Sequence, residues 1–262
     1  MKKNYISLIL LLMCLFFTQC GVHGKYTGPT PAIYKLVETQ TVLVEVTNTI
    51  TPTRCENKSN FAKKEDLCSK VLPELPPIHG SHVGTGTFIK LNDEIVVLTA
   101  EHVCAPDEVP KKVEKDDVVV YPTIETKIEI KSRIYTGVGS VLKMSKPLDI
   151  CVLSLDVQPN VSVPNFSRKP PERGARIYYA GAPQGFMSDT ALMMFDGRYA
   201  GTMGKMLAFS MPCEHGTSGA SVRNSKNQIF SIVQRVNGQF KHMCYGVSTE
   251  EMIKFLSTIK PK

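Results

Sequence analysis

The 262-residue chain predicts an all-β protein of two lobes, with one helix at its C-terminal end. Three observations carry that prediction. Short runs of β-branched and aromatic residues recur at close spacing with polar turns between them, the pattern of a sandwich or a barrel. A proline-rich stretch, PNVSVPNFSRKPPERG (159–174), divides these runs into two groups of similar size and reads as a linker. Helical periodicity is confined to TEEMIKFLSTI (249–259), where Met252, Ile253, Leu256 and Ile259 share one face and Thr249 can cap the first turn.

The chain opens with the basic segment MKKN and the apolar run YISLILLLMCLFF, which ends at Phe17. That run suits a signal peptide and falls short of the roughly 20 residues that span a bilayer. Residues 1–24 are therefore read as a signal segment. FTQCG resembles a bacterial lipoprotein processing site with Cys20 as the lipidated residue and membrane tether, although Gln19 is a poor fit before that cysteine. Plain secretion and an uncleaved anchor are the alternatives. All three send the body of the protein out of the cytoplasm.

The first lobe, 25–158, contains TVLVEV (41–46), GTGTFIK and EIVVLTA around the turn LND (91–93), then DVVVYP, TKIEIKSRI and LDICVLSL. Residues 51–80 read as a long inserted loop, which a bridge between Cys55 and Cys68 would staple. The second lobe, 175–262, contains ARIYYAGAP, MLAFSM, QIFSIVQRV and QFKHMCYGV. Asn237-Gly238 between the last two is a tight-hairpin signal.

The net charge of +7 is spread out, with no basic patch interleaved with aromatics, which excludes a nucleic-acid surface. Beyond Cys14 and Cys20 stand Cys55, Cys68, Cys104, Cys151, Cys213 and Cys244, an even number that permits bridges in an oxidising compartment. Cys151, mid-strand in DICVLSL, reads as a buried free thiol. No motif calls for a cofactor.

CEHGTSGASV (213–222) sets Ser218 between glycines and small residues. That is either a tight turn or a nucleophile on a loop whose N–H groups face a substrate oxygen. A serine hydroxyl needs a base, a group to orient the base, and donors for the oxyanion. The N–H groups of Gly216 and Ser218 are candidate donors. His102 in VVLTAEHVC follows an apolar strand, where a loop can present it to a cleft. Asp149 begins the apolar strand LDICVLSL, a costly place for a charge without a partner. An α/β-hydrolase elbow is excluded, because Ala220 stands where G-x-S-x-G needs its second glycine.

In the order His, Asp, Ser, the motifs GTGTFI with LTAEHV, LDICVLSL and GTSGASV resemble the trypsin-like (chymotrypsin-fold) serine peptidases. YAGAPQG is similar to the opening of the second barrel in compact bacterial and viral secreted members, and YGVSTEEMIKFL to the last strand and C-terminal helix. The resemblance runs from Gly84 to Leu256. It implies two six-stranded antiparallel β-barrels, and a serine endopeptidase acting on protein or peptide substrates without metal. His102 would be general base and acid, Asp149 its orienter, Ser218 the nucleophile, and Gly216 and Ser218 the oxyanion donors.

Departures from the family are also legible. Thr217 replaces the acid common before the nucleophile, so no zymogen switch through that acid is expected. Glu101 stands where a small residue is usual. Pro212 occupies the place of the aspartate that binds basic side chains in digestive trypsins. His215 and His242 are candidate pocket residues that would favour acidic or polar side chains. Cys213 and Cys244 resemble a family disulfide bracing the specificity pocket; with His215 and His242 they could instead hold zinc. The rival function is a non-catalytic module of the same fold on a cell or virion surface.

Overall fold

The structure, a computed structural model, describes residues 29–57, 76–105, 113–115, 118–188, 190–240 and 242–260. The signal segment 1–24, with Cys14 and Cys20, lies outside these residues, as does Cys68. Among the described residues no helix is long and apolar enough to cross a membrane.

The elements run α1 (Pro31–Gln40), β1 (Thr41–Asn57), β2 (Ile78–Leu91), β3 (Glu94–Thr99), α2 (Glu101–Cys104), β4 (Val113–Lys115), β5 (Val118–Lys131), β6 (Thr136–Ser145) and β7 (Ile150–Leu155). They continue with β8 (Arg176–Gly181), β9 (Met193–Met203), β10 (Met206–Ser210), β11 (Ser221–Arg223), β12 (Ile229–Val236), β13 (Met243–Val247) and α3 (Thr249–Ser257). All strand pairs in named ladders are antiparallel. The order β1-β2-β3-β7-β6-β5 closes through β1 against β5, with β4 added beyond β5. The order β10-β13-β12-β11-β8-β9 closes a second ring. The fold is therefore two six-stranded antiparallel barrels, as the all-β reading and the resemblance together imply.

Alternating residues fill each barrel. Val42, Val44, Val46, Phe88, Val97, Ile130 and Leu153 are fully buried in the first, and Ile177, Tyr179, Phe209, Phe230 and Val233 in the second. Asn92 and Asp93, with φ of 49° and 70°, make the two-residue turn between β2 and β3, a conformation these residue types tolerate. The linker is stitched down rather than free: Ile229 N–H donates to the Asn165 carbonyl at 2.9 Å and Ser167 N–H to the Ile229 carbonyl at 2.7 Å.

Several local readings need correction. Residues 51–57 and 78–80 are strand, not loop, because β1 pairs with β5 as far as Asn57↔Val118. Pro52 hides the alternation, and a register shift between Pro52 and Arg54 accommodates it. A second true helix, α1, stands at the start of the described chain, with Pro31 in its first turn and the Thr30 side chain accepting from Ile33 N–H at 3.3 Å. It belongs physically to the second barrel: Val37 packs with Tyr178, Ala180 and Leu192. The cap of α3 is Ser248, which accepts from Glu251 N–H at 3.2 Å, while the Thr249 hydroxyl donates to the Phe230 carbonyl at 2.6 Å. Phe255, not Ile253, joins Met252, Leu256 and Ile259 on its buried face. The β12–β13 connection is longer than a two-residue hairpin, because Asn237 Oδ1 accepts from the N–H groups of Gln239 and Phe240, each at 3.0 Å, and holds a wider turn.

The cysteines also differ from expectation at one point. Cys151 is not a free thiol: it is bonded to Cys104, with Cα atoms 6.4 Å apart. β3 and β7 are neighbours with Thr99 opposite Cys151, which brings the end of β3 and its following turn against β7. Cys213 and Cys244 are bonded to each other, Cα atoms 6.1 Å apart, so neither is available to zinc. Cys55 is disulfide-bonded to a partner outside the described residues.

Candidate active site

β3 ends at Thr99, and the single turn α2 follows at once, held by the Ala105 N–H donating to the Glu101 carbonyl at 2.8 Å. His102 leaves that turn with about half of its side chain exposed. Asp149 closes the turn between β6 and β7, in the left-handed region at φ 50°. One carboxylate oxygen accepts from the His102 N–H at 3.1 Å and lies 2.9 Å from His102 Nδ1; the other lies 3.0 Å from Nδ1. A carboxylate on Nδ1 favours the tautomer with its proton there, leaving Nε2 able to take up another.

Burial pushes the Asp149 carboxyl upward and is the largest single influence on it. The hydrogen bond and charge of the His102 ring, with the N–H groups of His102 and Glu101, together outweigh it and hold the pKa below the ordinary carboxylate value.

Ser218 lies in the β10–β11 loop of the second barrel. The loop is tied to both barrels. Ser218 carbonyl accepts from Thr85 N–H at 2.8 Å, and Gly219 N–H donates to the Val233 carbonyl at 2.7 Å. The Thr85 hydroxyl donates to the Gly216 carbonyl at 2.7 Å and accepts from Ala182 N–H at 2.9 Å. Gln184 N–H donates to the His215 carbonyl at 2.7 Å. Gly216 has φ 88°, and a Cβ there would fall 2.4 Å from the Ala182 oxygen, so only glycine fits. The N–H groups of Gly216 and Ser218 enter no hydrogen bond among the described residues.

His102 and Ser218 share the walls of two adjoining clefts. One, of ≈ 410 Å³, is also lined by Glu214, His215, Gln234 and Asn237. The other, of ≈ 350 Å³, is lined by His82, Val83, Gln184 and Gly216. The three distant side chains therefore meet where the barrels meet. The Asp149–His102 half of the cluster is hydrogen-bonded; Ser218 stands on the same cleft without a hydrogen bond to His102, a looseness common in unliganded sites. His215 lines both clefts. His242 lines neither of them; it is exposed and sits edge-on to Phe240, ring centroids 6.0 Å apart. Among the described residues no cluster of three or more metal-ligating side chains occurs.

Residues 84–232, more than half of the chain, match the family model of the trypsin-like peptidase domain. The chain belongs to the trypsin-like peptidase family. Among solved structures, this trypsin-like peptidase is similar in fold to the active form of the Rv3671c protease from M. tuberculosis, at 14% identity and TM-score 0.59, covering 89% of this chain and 88% of that one. It is also similar to a serine endoprotease from Yersinia pestis, at 14% identity and TM-score 0.56, covering 86% of this chain but 64% of that one. An inactive serine-to-alanine form of Rv3671c aligns at 14% identity and TM-score 0.54, over 90% of this chain and 97% of the other. No curated protein matches the chain in sequence.

Sequence reasoning missed four contributors to this site. Thr85 and Gln184 lie inside the quoted motifs GTGTFI and YAGAPQG and Gln234 inside QIFSIVQRV, but each acts through a distant backbone partner that its motif does not announce. The fourth is the Cys104–Cys151 bridge, whose signal was present: each cysteine stands two residues after a member of the His102–Asp149 pair.

Proposed function

We propose that this trypsin-like peptidase is a serine endopeptidase that works through an acyl-enzyme on Ser218. The observation that carries the reading is the bidentate Asp149–His102 pair opening onto the cleft that Ser218 shares. Ser218 Oγ attacks the scissile carbonyl carbon as His102 Nε2 takes the hydroxyl proton. The carbonyl π electrons move to oxygen, and the oxyanion is received by the N–H groups of Gly216 and Ser218. The C–N bond then breaks as the imidazolium returns its proton to the departing amine. Water, deprotonated by the same nitrogen, attacks the ester and releases the acid, and Ser218 regains its proton. Asp149 keeps the ring oriented and offsets the charge it carries between these steps.

Substrates are proteins or peptides lying across both clefts. His215 is the pocket histidine of this proposal; His242, turned to the rim, is left out of it. The disulfides suit an oxidising compartment, which agrees with export directed by residues 1–24.

The test is labelling of the purified protein with a peptidyl organophosphonate and peptide hydrolysis under the same conditions. The expected result is one label on Ser218, with label and hydrolysis both absent from Ser218→Ala. An unlabelled, inert wild type with intact fold would replace this reading by the non-catalytic module.

A further inference from the structure

Asp149 holds the left-handed backbone conformation, φ 50°, which aspartate tolerates and most other non-glycine residues avoid. Its own barrel holds the backbone through the Asp149 N–H, which donates to the Lys146 carbonyl at 3.2 Å, and holds the carboxylate through the His102 and Glu101 N–H groups. The other barrel holds the backbone on both sides of the residue. Gln234, on β12, is 7% exposed and extends its amide across the interface. Its Nε2 donates to the Leu148 carbonyl at 2.5 Å and to the Asp149 carbonyl at 2.8 Å. Those two carbonyls belong to the peptide planes on either side of the Asp149 Cα. One NH2 group therefore pins both planes whose relative rotation defines φ and ψ of Asp149.

We infer that Gln234 is a positioning residue that locks Asp149 in its left-handed conformation and so aims the carboxylate at His102. This rests on the proposed role of the His102–Asp149 pair and deepens it. Both amide hydrogens of Gln234 are spent on the two carbonyls, so the group is not a donor to substrate, although the side chain lines the substrate cleft. The same side chain lines a second cavity beside Asp149, of ≈ 220 Å³, whose other charged members are Lys205, Arg235 and Glu251. On that side Asp149 faces a cavity rather than a packed core, with only Pro147 and Leu148 of its own barrel in the wall. The Cys104–Cys151 bridge ties the strand after Asp149 to the turn after His102, but it does not touch the Leu148–Asp149 peptide.

The experiment compares wild type, Gln234→Met and Gln234→Glu, which keep chain length and remove the donors, with Val236→Ala, which trims the same cleft without contact to Asp149. The first readout is the low-field proton resonance of an imidazole Nδ1–H held by a carboxylate, recorded without substrate on folded protein. It should be present in wild type and Val236→Ala, and lost or moved in both Gln234 variants. The second readout is steady-state kinetics. In the Gln234 variants kcat should fall roughly 10- to 100-fold, as expected for a misplacement near 1 Å, with KM changed less than about threefold. Val236→Ala should move KM alone. An unchanged resonance with unchanged kcat in the Gln234 variants overturns the inference and leaves Gln234 as cleft lining. If wild type neither hydrolyses nor labels, the proposed function fails, and the resonance alone still decides the role of Gln234.

Discussion

Replacing Gly216 by alanine separates two penalties that the structure predicts at one position. The first is conformational. At φ 88° an L-residue is held in the left-handed region, which costs about 1–2 kcal/mol. The second is steric. The new Cβ would stand 2.4 Å from the Ala182 oxygen, 2.8 Å from the Gln184 nitrogen and 3.1 Å from the Gly185 nitrogen. All three are backbone atoms, so the 182–185 turn must move, at about 1–3 kcal/mol by analogy with overpacking. The total is about 2–5 kcal/mol, and at roughly 2–4 °C per kcal/mol for a chain of this size Tm drops by about 4–20 °C. Gly204 supplies the control. It has φ 60° and nothing within 4 Å of an added Cβ, so Gly204→Ala carries the first penalty without the second. Paired thermal melts should place Gly204→Ala between wild type and Gly216→Ala. Activity should divide the two more sharply, because on the proposed mechanism moving the Gly216 N–H removes an oxyanion donor, worth on the order of 10²–10³ in kcat. Gly204→Ala should hydrolyse substrate as wild type does. Equal melting temperatures and equal kcat for the two variants would refute both the close approach and the donor role.

Asp149→Asn keeps the shape of the side chain but loses the charge facing His102, and kcat should fall by on the order of 10³–10⁴ in steady-state assays. Its stability effect should depend on pH. The folded carboxyl titrates below its ordinary value of 3.8, so its contribution is present above that value and is lost as pH falls through the lower, folded value. The Tm advantage of wild type over Asp149→Asn should therefore persist from neutrality down to about pH 4 and shrink below it; an advantage that grew in acid would contradict the bonding described. Removing the Cys104–Cys151 bridge by double alanine substitution opens a 47-residue separation, which loop entropy values at about 4 kcal/mol. Denaturant titration should recover a loss of that order; a loss under about 1 kcal/mol would mean that the denatured chain is not measurably constrained by the bridge.

That His102, Asp149 and Ser218 would meet on one cleft was legible because a histidine or a charge beside an apolar strand, and a serine set among glycines, call for chemistry or a partner to explain them. The barrels were legible because short β-branched and aromatic runs recur at close spacing with polar turns between them, although most of these runs are buried on consecutive residues rather than alternating. What escaped detection depended on contacts between distant segments. Cys151 looks inert within DICVLSL; its matching offset from Asp149, like that of Cys104 from His102, gains its meaning once β3 lies beside β7. Helix α1 is brief, and its buried stripe reduces to Val37 and Gln40, too little periodicity to stand out. Thr41 and beyond read as strand because β-branched residues dominate there; α1 carries the same residue types but begins with the Thr30-Pro31 start signal. Gln234 sits inside the apolar run QIFSIVQRV, where a buried amide demands partners. The demand was readable, but the identity of the partners, two carbonyls of the other barrel, was not.

The placement of the site imposes a requirement on the whole molecule. His102 and Asp149 belong to one barrel and Ser218 to the other, so a hinge between the barrels would separate the cluster. The structure opposes such a hinge at several depths. At the site, Thr85 bonds Ser218 and Gly216, and Gln234 bonds Leu148 and Asp149. Deeper, the Thr87 hydroxyl donates to Ser221 Oγ at 2.9 Å, and Arg223, fully buried, donates from Nε to the same oxygen at 3.1 Å and from its guanidinium to Gln40 at the end of α1. At the periphery the chain ends are crossed over. Helix α1 packs on the second barrel before the chain enters β1 of the first. Helix α3 follows β13 of the second and buries Met252, Phe255 and Leu256 in a cluster with Ile89, Leu98 and Val152 of the first. Buried apolar contact of that kind contributes about 25 cal/mol per Å² without fixing angles. The hydrogen bonds at the site contribute less free energy but are directional. The two act on different quantities: the helices keep the barrels together, and the Thr85 and Gln234 bonds set the angle at which they face each other, which is the quantity that decides whether Nε2 of His102 and Oγ of Ser218 can meet.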